Sequence, residues 1–585
     1  GFANLKSAAA YDNLFYSARA RSEADWLVGL NVTRALTCKH NAQLSAGRVQ
    51  TPTLALIVDR EEEIRAFVPK EYYTVSVKAG GFSATWRDKK GQARTFDREK
   101  AEALAAALAG RNGVLTEVKR TYKQTPPPAA YDLTELQRDA NKKYAYSAKE
   151  TLSIMQSLYE VHKVLTYPRT DSRYISDDVV PTLPERLRSV VEEYKPLALE
   201  LLRKKPLQTR FLVNNAKVTD HHAIIPTEEQ VDLWRLSGPE RNIYDLVVRR
   251  FLAVLLPPFE YEETRLTLTV DGETFTARGK IVKNQGWKAA YARFALEDEE
   301  EGEEDEREQS LPAVRQGDKI VIQSAGVNVG KTAPPKRYTE ATLLSAMEHP
   351  GSQVGDREQS RILEETGGLG TPATRADIIE KLFSAFYVER RGKELVPTSK
   401  GIQVVGLAPA DLRSARLTAQ WEKRLGDIAQ GREQEKQFVD EIRRYAAHLV
   451  SEVKQSDATY RHDNVSREKC PDCGKFLLNV QGKRGKMLVC PDRECGYRRS
   501  VTQTTNARCP NCHKKMELRG EGEKRIFACV CGYRERLSDF KKRRETKSAG
   551  KGEVRRYLQQ QERQEETGNS AMAEQLKRWL EQNKK

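Results

Sequence analysis

The 585 residues exceed what a single hydrophobic core organises, so several domains are expected. Charged residues make up 31% of the chain and the formal net charge is +16, a balance that favours a polyanionic partner. No run of about 18 apolar residues occurs and no secretory pattern opens the sequence, so neither a spanning helix nor a membrane partner is expected.

Residue 1 is glycine and the first methionine is Met155, so a segment ahead of residue 1 is expected in the parent protein. Residues 1–66 read as mostly helical, with Arg21, Asp25 and Arg34 among apolar Trp26, Leu27, Val28 and Leu30. The stretch Leu44-Ser-Ala-Gly-Arg48-Val-Gln50-Thr51-Pro-Thr then runs into the helical pattern Leu54-Ala-Leu-Ile-Val-Asp-Arg. Small residues ahead of Arg48 allow a nucleic-acid backbone to approach, and Ser45, Arg48 and Gln50 can donate to phosphate, although an ordinary helix start has the same look. Strand signals follow at Tyr72-Tyr-Thr-Val-Ser-Val and Phe82-Ser-Ala-Thr-Trp, then a short helix from about Asp97 to Ala109 that ends at Gly110. They return at 259–282, where Asp271-Gly272 between two alternating runs predicts a hairpin. Two β-rich stretches around a helical insert predict one sheet domain interrupted by another.

The insert, 128–250, holds the string Val164-Leu-Thr-Tyr-Pro-Arg-Thr-Asp-Ser-Arg-Tyr-Ile-Ser176. A tyrosine hydroxyl can attack a phosphodiester and hold the phosphoryl group as an ester. A phenol pKa near 10 makes it a poor nucleophile, and ionising it at pH 7 costs roughly 4 kcal/mol. Tyr167 therefore needs cationic help, for which Arg169, able to grip two phosphate oxygens, is the candidate. Pro168 fixes the local backbone and biases Tyr167 away from helix. Alone, Tyr-Pro-Arg-Thr-Asp reads as a surface turn. The preceding capping box Ser147-Ala-Lys-Glu150 and the helically spaced Leu152, Met155, Leu158 and Tyr159 give it a defined place just past a helix. The same insert carries Thr219-Asp220-His221-His222-Ala-Ile-Ile-Pro226-Thr227, whose histidines are either a surface or core pair or a contact to phosphate.

Residues 297–308 read as a solvated acidic loop rather than a metal site. Residues 334–455 return to helix. Within them Gly368-Leu-Gly370-Thr371-Pro372-Ala-Thr374-Arg375 fits either a helix cap or an anion site at a helix N-terminus. Nine cysteines, mostly in closely spaced pairs, suit a reducing interior and metal, and predict a cytoplasmic home. Cys470, Cys473, Cys490 and Cys495 are echoed at a constant offset by Cys509, Cys512 and Cys529, with Cys531 completing the second set. Both sets end in Cys-Gly-Tyr-Arg. This repeat predicts two zinc ribbons with four thiolates each, structural because no coordination position stays open. Basic residues with Tyr497, Phe527 and Tyr533 suit stacking on single strands. Cys38 is left over as a buried free thiol, and the basic tail 541–585 is expected to be disordered.

The stretch 148–176 resembles the active-site segment of the type IA DNA topoisomerases, in the topoisomerase III branch. The strings at 44–50, 219–227 and 368–375 resemble further motifs of the same family. The resemblance implies a multidomain α+β chain: a toroid of helical domains plus a β arch carrying a helical tyrosine domain, followed by two small zinc ribbons. The corresponding boundaries are 1–66 and 326–460 for the helical DNA-binding domain, 67–127 and 251–325 for the arch, and 128–250 for the tyrosine domain. The ribbons take 466–505 and 506–540, and the tail 541–585. By resemblance Tyr167 becomes joined to a DNA 5′ phosphate, Arg169 stabilises the transition state, Asp171 orients its neighbours and His221 lies at the active site. Arg21, Asp25, Ser45, Arg48, Gln50, Thr371, Thr374 and Arg375 contact single-stranded DNA. The family also needs magnesium on an acidic cluster of an N-terminal Toprim domain, for which no equivalent is found here. The expectation is that this chain alone binds DNA but cleaves it poorly. ATP is not required, and a nucleoid location, a RecQ-type helicase and a single-strand binding protein are implied as surroundings and partners. Two rival classes are a zinc-ribbon nucleic-acid binding protein without chemistry and the topoisomerase portion of a reverse-gyrase-like fusion.

Overall fold

The computed structural model describes residues 7–547 apart from 191, 205, 219, 292–308, 351–357, 359, 363–367, 483, 484, 493, 520–524 and 530. Thr219, the acidic stretch 297–308 and the tail beyond 547 thus lie outside the described residues. The chain divides into two units, Gly1–Tyr460 and Arg461–Lys585.

The first unit begins with helices α1 (Asp12–His40) and α2 (Gln50–Ala66). Ala20, Ala24, Val28, Val32 and Leu36 recur at every fourth position of α1 and give it one fully buried stripe. Next come β1 (Glu71–Ala79), β2 (Phe82–Arg87), α3 (Arg98–Leu108) and β3 (Asn112–Thr125). The Asp97 side chain caps α3 by accepting from the Lys100 amide at 3.0 Å.

The chain then leaves the sheet for the insert, α4 (Leu133–Tyr144), α5 (Ala148–Glu160), α6 (Leu183–Ser189), α7 (Lys195–Arg203) and α8 (Gly238–Val254), which has its own core around Leu136, Met155, Leu158, Ile225, Val247 and Phe251. It returns through β4 (Phe259–Val270), β5 (Glu273–Asn284) and β6 (Lys319–Lys331), closing a barrel in the order β1-β2-β5-β4-β3-β6. Alternate residues such as Val75, Val77, Leu266, Leu268 and Phe275 fill it. Asp271 and Gly272 both take positive φ, 49° and 85°, at the tip of the β4–β5 hairpin, as a two-residue turn of this twist requires. The insert leaves and re-enters at paired neighbours, Thr125 and Phe259, so it hangs from one end of the β3–β4 ribbon. Helix α8 continues past 250 to Val254 and β6 past 325 to Lys331, because the apolar and alternating patterns run on without a break.

The rest of the unit is helical: α9 (Glu340–Glu348), α10 (Pro372–Ser384), the hairpin β7 (Val388–Arg391) and β8 (Glu394–Pro397), α11 (Ser399–Leu407), α12 (Arg416–Ala429) and α13 (Glu435–Gln455). These pack back onto α1 and α2 to share one core with Leu343, Leu382, Trp421, Phe438 and Leu449. Ser17 on α1 donates to the Leu425 carbonyl at 2.8 Å, across most of the unit's sequence.

In the second unit β9 (Val465–Lys469), β10 (Phe476–Gly482), β11 (Gly485–Val489) and β12 (Arg498–Ser500) form one antiparallel sheet. A second contains β13 (Thr502–Arg508), β14 (Lys515–Arg519), β15 (Ile526–Ala528) and β16 (Arg534–Arg536), followed by α14 (Leu537–Lys547). The change of sheet falls between Ser500 and Thr502, ahead of the expected 506. Helix α14 corrects the expectation of disorder for 541–547. Phe540 on α14 packs on Phe527 with ring centroids 4.3 Å apart, and this apolar contact gives the helix a reason to dock. No helix among the described residues is long and apolar enough to cross a membrane.

Candidate active site, nucleic-acid groove and metal centres

The Tyr167 segment is held between a helix and a short ladder. Ser147 and Glu150 form the expected capping box of α5. Beyond α5, Lys163 takes φ 57° and turns the chain back. Residues 164–166 then pair with 225–227: the Thr166 amide donates to the Ile225 carbonyl at 3.0 Å and the Thr227 amide to the Val164 carbonyl at 3.1 Å. Thr166 Oγ1 ties both strings again, accepting from the Ile225 amide and donating to the Ala223 carbonyl, each at 2.9 Å. β-Branched Val164, Thr166, Ile224 and Ile225 suit this extended pairing. Pro168, without an N–H, stops it immediately after Tyr167.

The two strings of the insert thereby bring Tyr167 and His221 together. Their rings lie 4.1 Å apart at 33°, with Tyr159 of α5 edge-on to Tyr167 at 5.5 Å. Tyr167 is half-buried, whereas Arg169, Asp171 and His221 are exposed. Among the described residues neither the Tyr167 hydroxyl nor the Arg169 guanidinium has a hydrogen-bond or ionic partner. The floor of the segment is firmer. Thr170 is buried, its carbonyl accepts from the Leu133 amide at 3.1 Å, and its hydroxyl oxygen accepts from the Ser172 amide at 3.1 Å. Arg173, which sequence reading passed over, donates to Asp132 at 2.6 Å. Asp132 is buried and also caps α4 by accepting from the Glu135 amide at 2.7 Å. Burial pushes its carboxyl above the ordinary range, and Arg173 works against that rise.

The string at 44–50 has a different character. Arg48 is only 6% exposed and its guanidinium is shared by two carboxylates. Nε and Nη2 donate to Asp25 at 2.8 and 3.1 Å, and Nη1 to Glu422 of α12 at 3.0 Å. The Trp421 ring lies beneath it, 5.2 Å from Cζ. Arg21 pairs with the same Glu422 at 2.5 Å but keeps an exposed side chain. Gln50 donates to Ser45 Oγ at 3.0 Å, and the Ser45 amide donates to the Tyr387 hydroxyl at 2.6 Å. The Arg48 guanidinium, expected to contact phosphate, is here engaged by α1 and α12. Glu422 and Tyr387, which build the site, had no local signal because they lie far along the chain.

At the start of α10, Thr371 and Thr374 form a capping box and both are exposed. Gly368 takes φ 75° beside the Met347 carbonyl, where a Cβ would come within 2.2 Å, so the turn into α10 needs glycine there. Arg375 does not share the exposure. It is 1% exposed, donates to Thr134 Oγ1 at 2.9 Å, and burial pulls its pKa below the ordinary value. Expected to contact DNA, it is turned inward by α10, onto α4.

In the second unit the repeat closes on itself. The sulfurs of Cys470, Cys473, Cys490 and Cys495 all lie within 4.8 Å of one another, as do those of Cys509, Cys512, Cys529 and Cys531. Sγ–Sγ separations of 3.3–3.5 Å are far too long for disulfides, whose bond is about 2.05 Å. Tetrahedral zinc with Zn–S near 2.3 Å sets thiolates roughly 3.8 Å apart, close to this spacing. Both sites therefore fit structural zinc, and the short Cys529-Val-Cys531 spacer does not disturb the second. The repeat extends to the backbone: Cys490 and Cys529 donate their amides to the Tyr497 and Tyr533 carbonyls at 2.8 and 2.9 Å. Phe527, expected to stack on DNA, is buried at 5% exposure under Phe540. Cys38 is exposed rather than buried.

A family model described as DNA topoisomerase matches residues 9–440. The chain is 52% identical to DNA topoisomerase 3 of Bacillus licheniformis and 53% identical to that of Bacillus subtilis, covering 99% of this chain and 80% of each relative. Its fold is similar to full-length topoisomerase I from Thermotoga maritima, with TM-score 0.58 and 27% identity over 84% of this chain and 76% of that one. A match through the whole unit that carries Tyr167, with relatives more than half identical across both units, places this chain in the type IA DNA topoisomerase family, isomerases that act on DNA.

Proposed function

We propose that Tyr167 is the nucleophile with which this topoisomerase breaks one strand of DNA. The observation that carries this reading is the Tyr167 ring set on the His221 ring, two residues from an exposed Arg169, with neither the phenol hydroxyl nor the guanidinium partnered among the described residues. The phenol oxygen gives up its proton to solvent and forms a bond to phosphorus while the P–O3′ bond breaks, leaving a 5′-phosphotyrosine and a 3′ oxygen that takes up a proton to become a hydroxyl. Arg169 counters the charge that develops on the non-bridging oxygens. His221 holds the phenol ring by stacking and offers its imidazole to the same phosphate. Asp171, exposed two residues after Arg169, orients this group. The ester conserves the bond, so reattack by the 3′ hydroxyl restores the strand without ATP, after another strand has passed.

The single strand reaches this site along the exposed groups of the helical segments. Arg21, Ser45, Gln50, Thr371 and Thr374 contact it directly, while Asp25 and the buried Arg48 and Arg375 fix the surface they occupy. The ribbons add basic and aromatic contacts through Tyr497 and Tyr533 and depend on zinc for their folding. Magnesium is assigned to an acidic cluster of a Toprim domain. The donor sets found among the described residues are all cysteine, so no step here is routed through magnesium. The bacterial cytoplasm, at the nucleoid, is the proposed location, with a RecQ-type helicase and a single-strand binding protein as partners.

The experiment is capture of a denaturant-resistant protein–DNA adduct on single-stranded oligonucleotide. The proposal requires that Tyr167→Phe abolish the adduct while leaving non-covalent DNA binding within about twofold. An adduct that survives the substitution rules Tyr167 out.

A further inference from the structure

Besides the barrel interior, the first unit contains two apolar cores that do not merge. One gathers α1, α2 and α9 to α13, the other α4 to α8, and among the described residues only Ala148 of the insert's buried apolar side chains belongs to the opposite core. What crosses the seam is otherwise polar. Helices leave their first N–H groups without intrahelical partners, and here two helices lend those groups to each other's side. The Ala148 amide, first in α5, donates to Glu340 Oε2 at 2.8 Å. The Ala341 amide, in the first turn of α9, donates to Asn141 Oδ1 of α4 at 3.1 Å. Glu340 is 3% exposed, and its other oxygen accepts from Arg390 Nε at 2.9 Å, which ties the exchange to β7. Lys149 pairs with Asp377 at 2.6 Å nearby. A cavity of about 380 Å³ lies alongside, lined by Arg138 and Lys142 from α4 and by Ala341, Thr342 and Ser345 from α9. The hydrogen bonds and ion pairs named here thus form a polar contact between the two cores.

Such a contact separates differently from a core. Once fully open, every donor and acceptor named finds water, so the cost is modest. Half open, Glu340 would remain enclosed with part of its partners lost, which is the expensive arrangement for a buried charge. The seam therefore favours two states, shut or free. We infer that Glu340 and Asn141 form a two-way latch that holds the Tyr167-bearing insert against the helical segments and releases as a unit when the insert moves on the β3–β4 ribbon. The inference rests on the strand-passage reading for its use but not for its existence. Both are positioning residues: neither is placed against the reacting phosphate.

Amide hydrogen exchange on this chain, without DNA, tests the latch. In the wild type the Ala148 and Ala341 amides should exchange at one common rate. Glu340→Ala, which removes the acceptor of Ala148 alone, should speed both amides at least tenfold. Asn141→Ala, which removes the acceptor of Ala341 alone, should do the same. Leu344 in α9 and Met155 in α5 should keep their wild-type protection, which separates release of the latch from unfolding of its helices. Glu340→Gln keeps an acceptor for Ala148 and should recover most of the protection at both positions. It serves as the deciding variant if the alanine form unfolds. Two independent caps, with each substitution freeing only its own amide, would overturn the inference. Because no chemistry is read, failure here leaves the Tyr167 proposal standing, and failure of the adduct experiment leaves the latch standing.

Discussion

Arg169 and Arg48 sit in the two strings of this chain that most resemble nucleic-acid contacts, and their surroundings are opposite. Arg169 follows a proline at the end of a short ladder, is exposed, and has no partner among the described residues. Arg48 lies at the start of α2, enclosed by Asp25, Glu422 and the face of Trp421. A guanidinium in water is free to meet a phosphate. One enclosed with two carboxylates holds its neighbours in place and can meet nothing else without leaving them uncompensated. On the proposed reading, the same residue type in equally recognisable strings is a reagent in one place and a strut in the other. The carboxylates that reach it decide which.

The largest effect that sharpens this contrast is at the nucleophile itself. In the chain fused to a Toprim domain, Tyr167→Phe should lower strand cleavage by at least ~10³-fold, measured on a single-stranded oligonucleotide, with no loss of melting temperature, because the hydroxyl it removes has no hydrogen-bond partner among the described residues. Next is Arg48→Ala, which should cost about 2–3 kcal/mol of stability in denaturant titrations, because it removes a buried guanidinium from Trp421 and leaves Glu422, 9% exposed, with Arg21 as its remaining cation. If Arg48→Ala kept its stability and lost only DNA affinity, the strut would be a reagent after all. Arg169→Ala should reverse the pattern. Cleavage should fall by roughly 10²–10³-fold, with stability changed by no more than about 0.5 kcal/mol.

The smallest effect concerns the support behind Tyr167. Glu240 forms the capping box of α8 and also accepts from Ser157 of α5 at 2.6 Å. Burial alone would raise its pKa, but hydrogen bonds from Ser157 and the Ser237 amide, with His162 beside them, hold it down to about 2. A depressed carboxyl contributes stability above its unfolded value, near 4.3, and loses it as pH falls toward about 2. Glu240→Gln should therefore cost about 1–2 kcal/mol at pH 7. The gap from wild type should close between about pH 4 and 2, read from melting curves. A gap that stays constant over that range would mean the charge is not what stabilises the cap.

The same contrast explains what could be read in advance. Asp97 as a cap, the Ser147–Glu150 box, the Asp271–Gly272 turn and the cysteine repeat are set by a few adjacent residues, and the sequence displays them directly. Tyr167 and Arg169 stood out only through the resemblance of their segment to a family motif, because the five-residue string alone reads as a surface turn. The burial of Arg48 and Arg375 was not. Their partners Glu422 and Thr134 are brought in by helix packing, hundreds of residues away in the chain. Tyr387 beneath Ser45 and the α14 helix over Phe527 escaped for the same reason. Exposure of a polar side chain is a property of the packed molecule, and a motif records only the part of it that is local.

Peptide mapping of the covalent adduct tests the central claim most directly. The chain, fused to a Toprim domain, would be incubated with single-stranded DNA and magnesium, denatured and digested. The account predicts one DNA-bearing peptide, containing Tyr167 esterified to the 5′ phosphate, with the other fragment released as a free 3′ hydroxyl. An adduct on any other residue, or a 3′-linked phosphate on Tyr167, would contradict it.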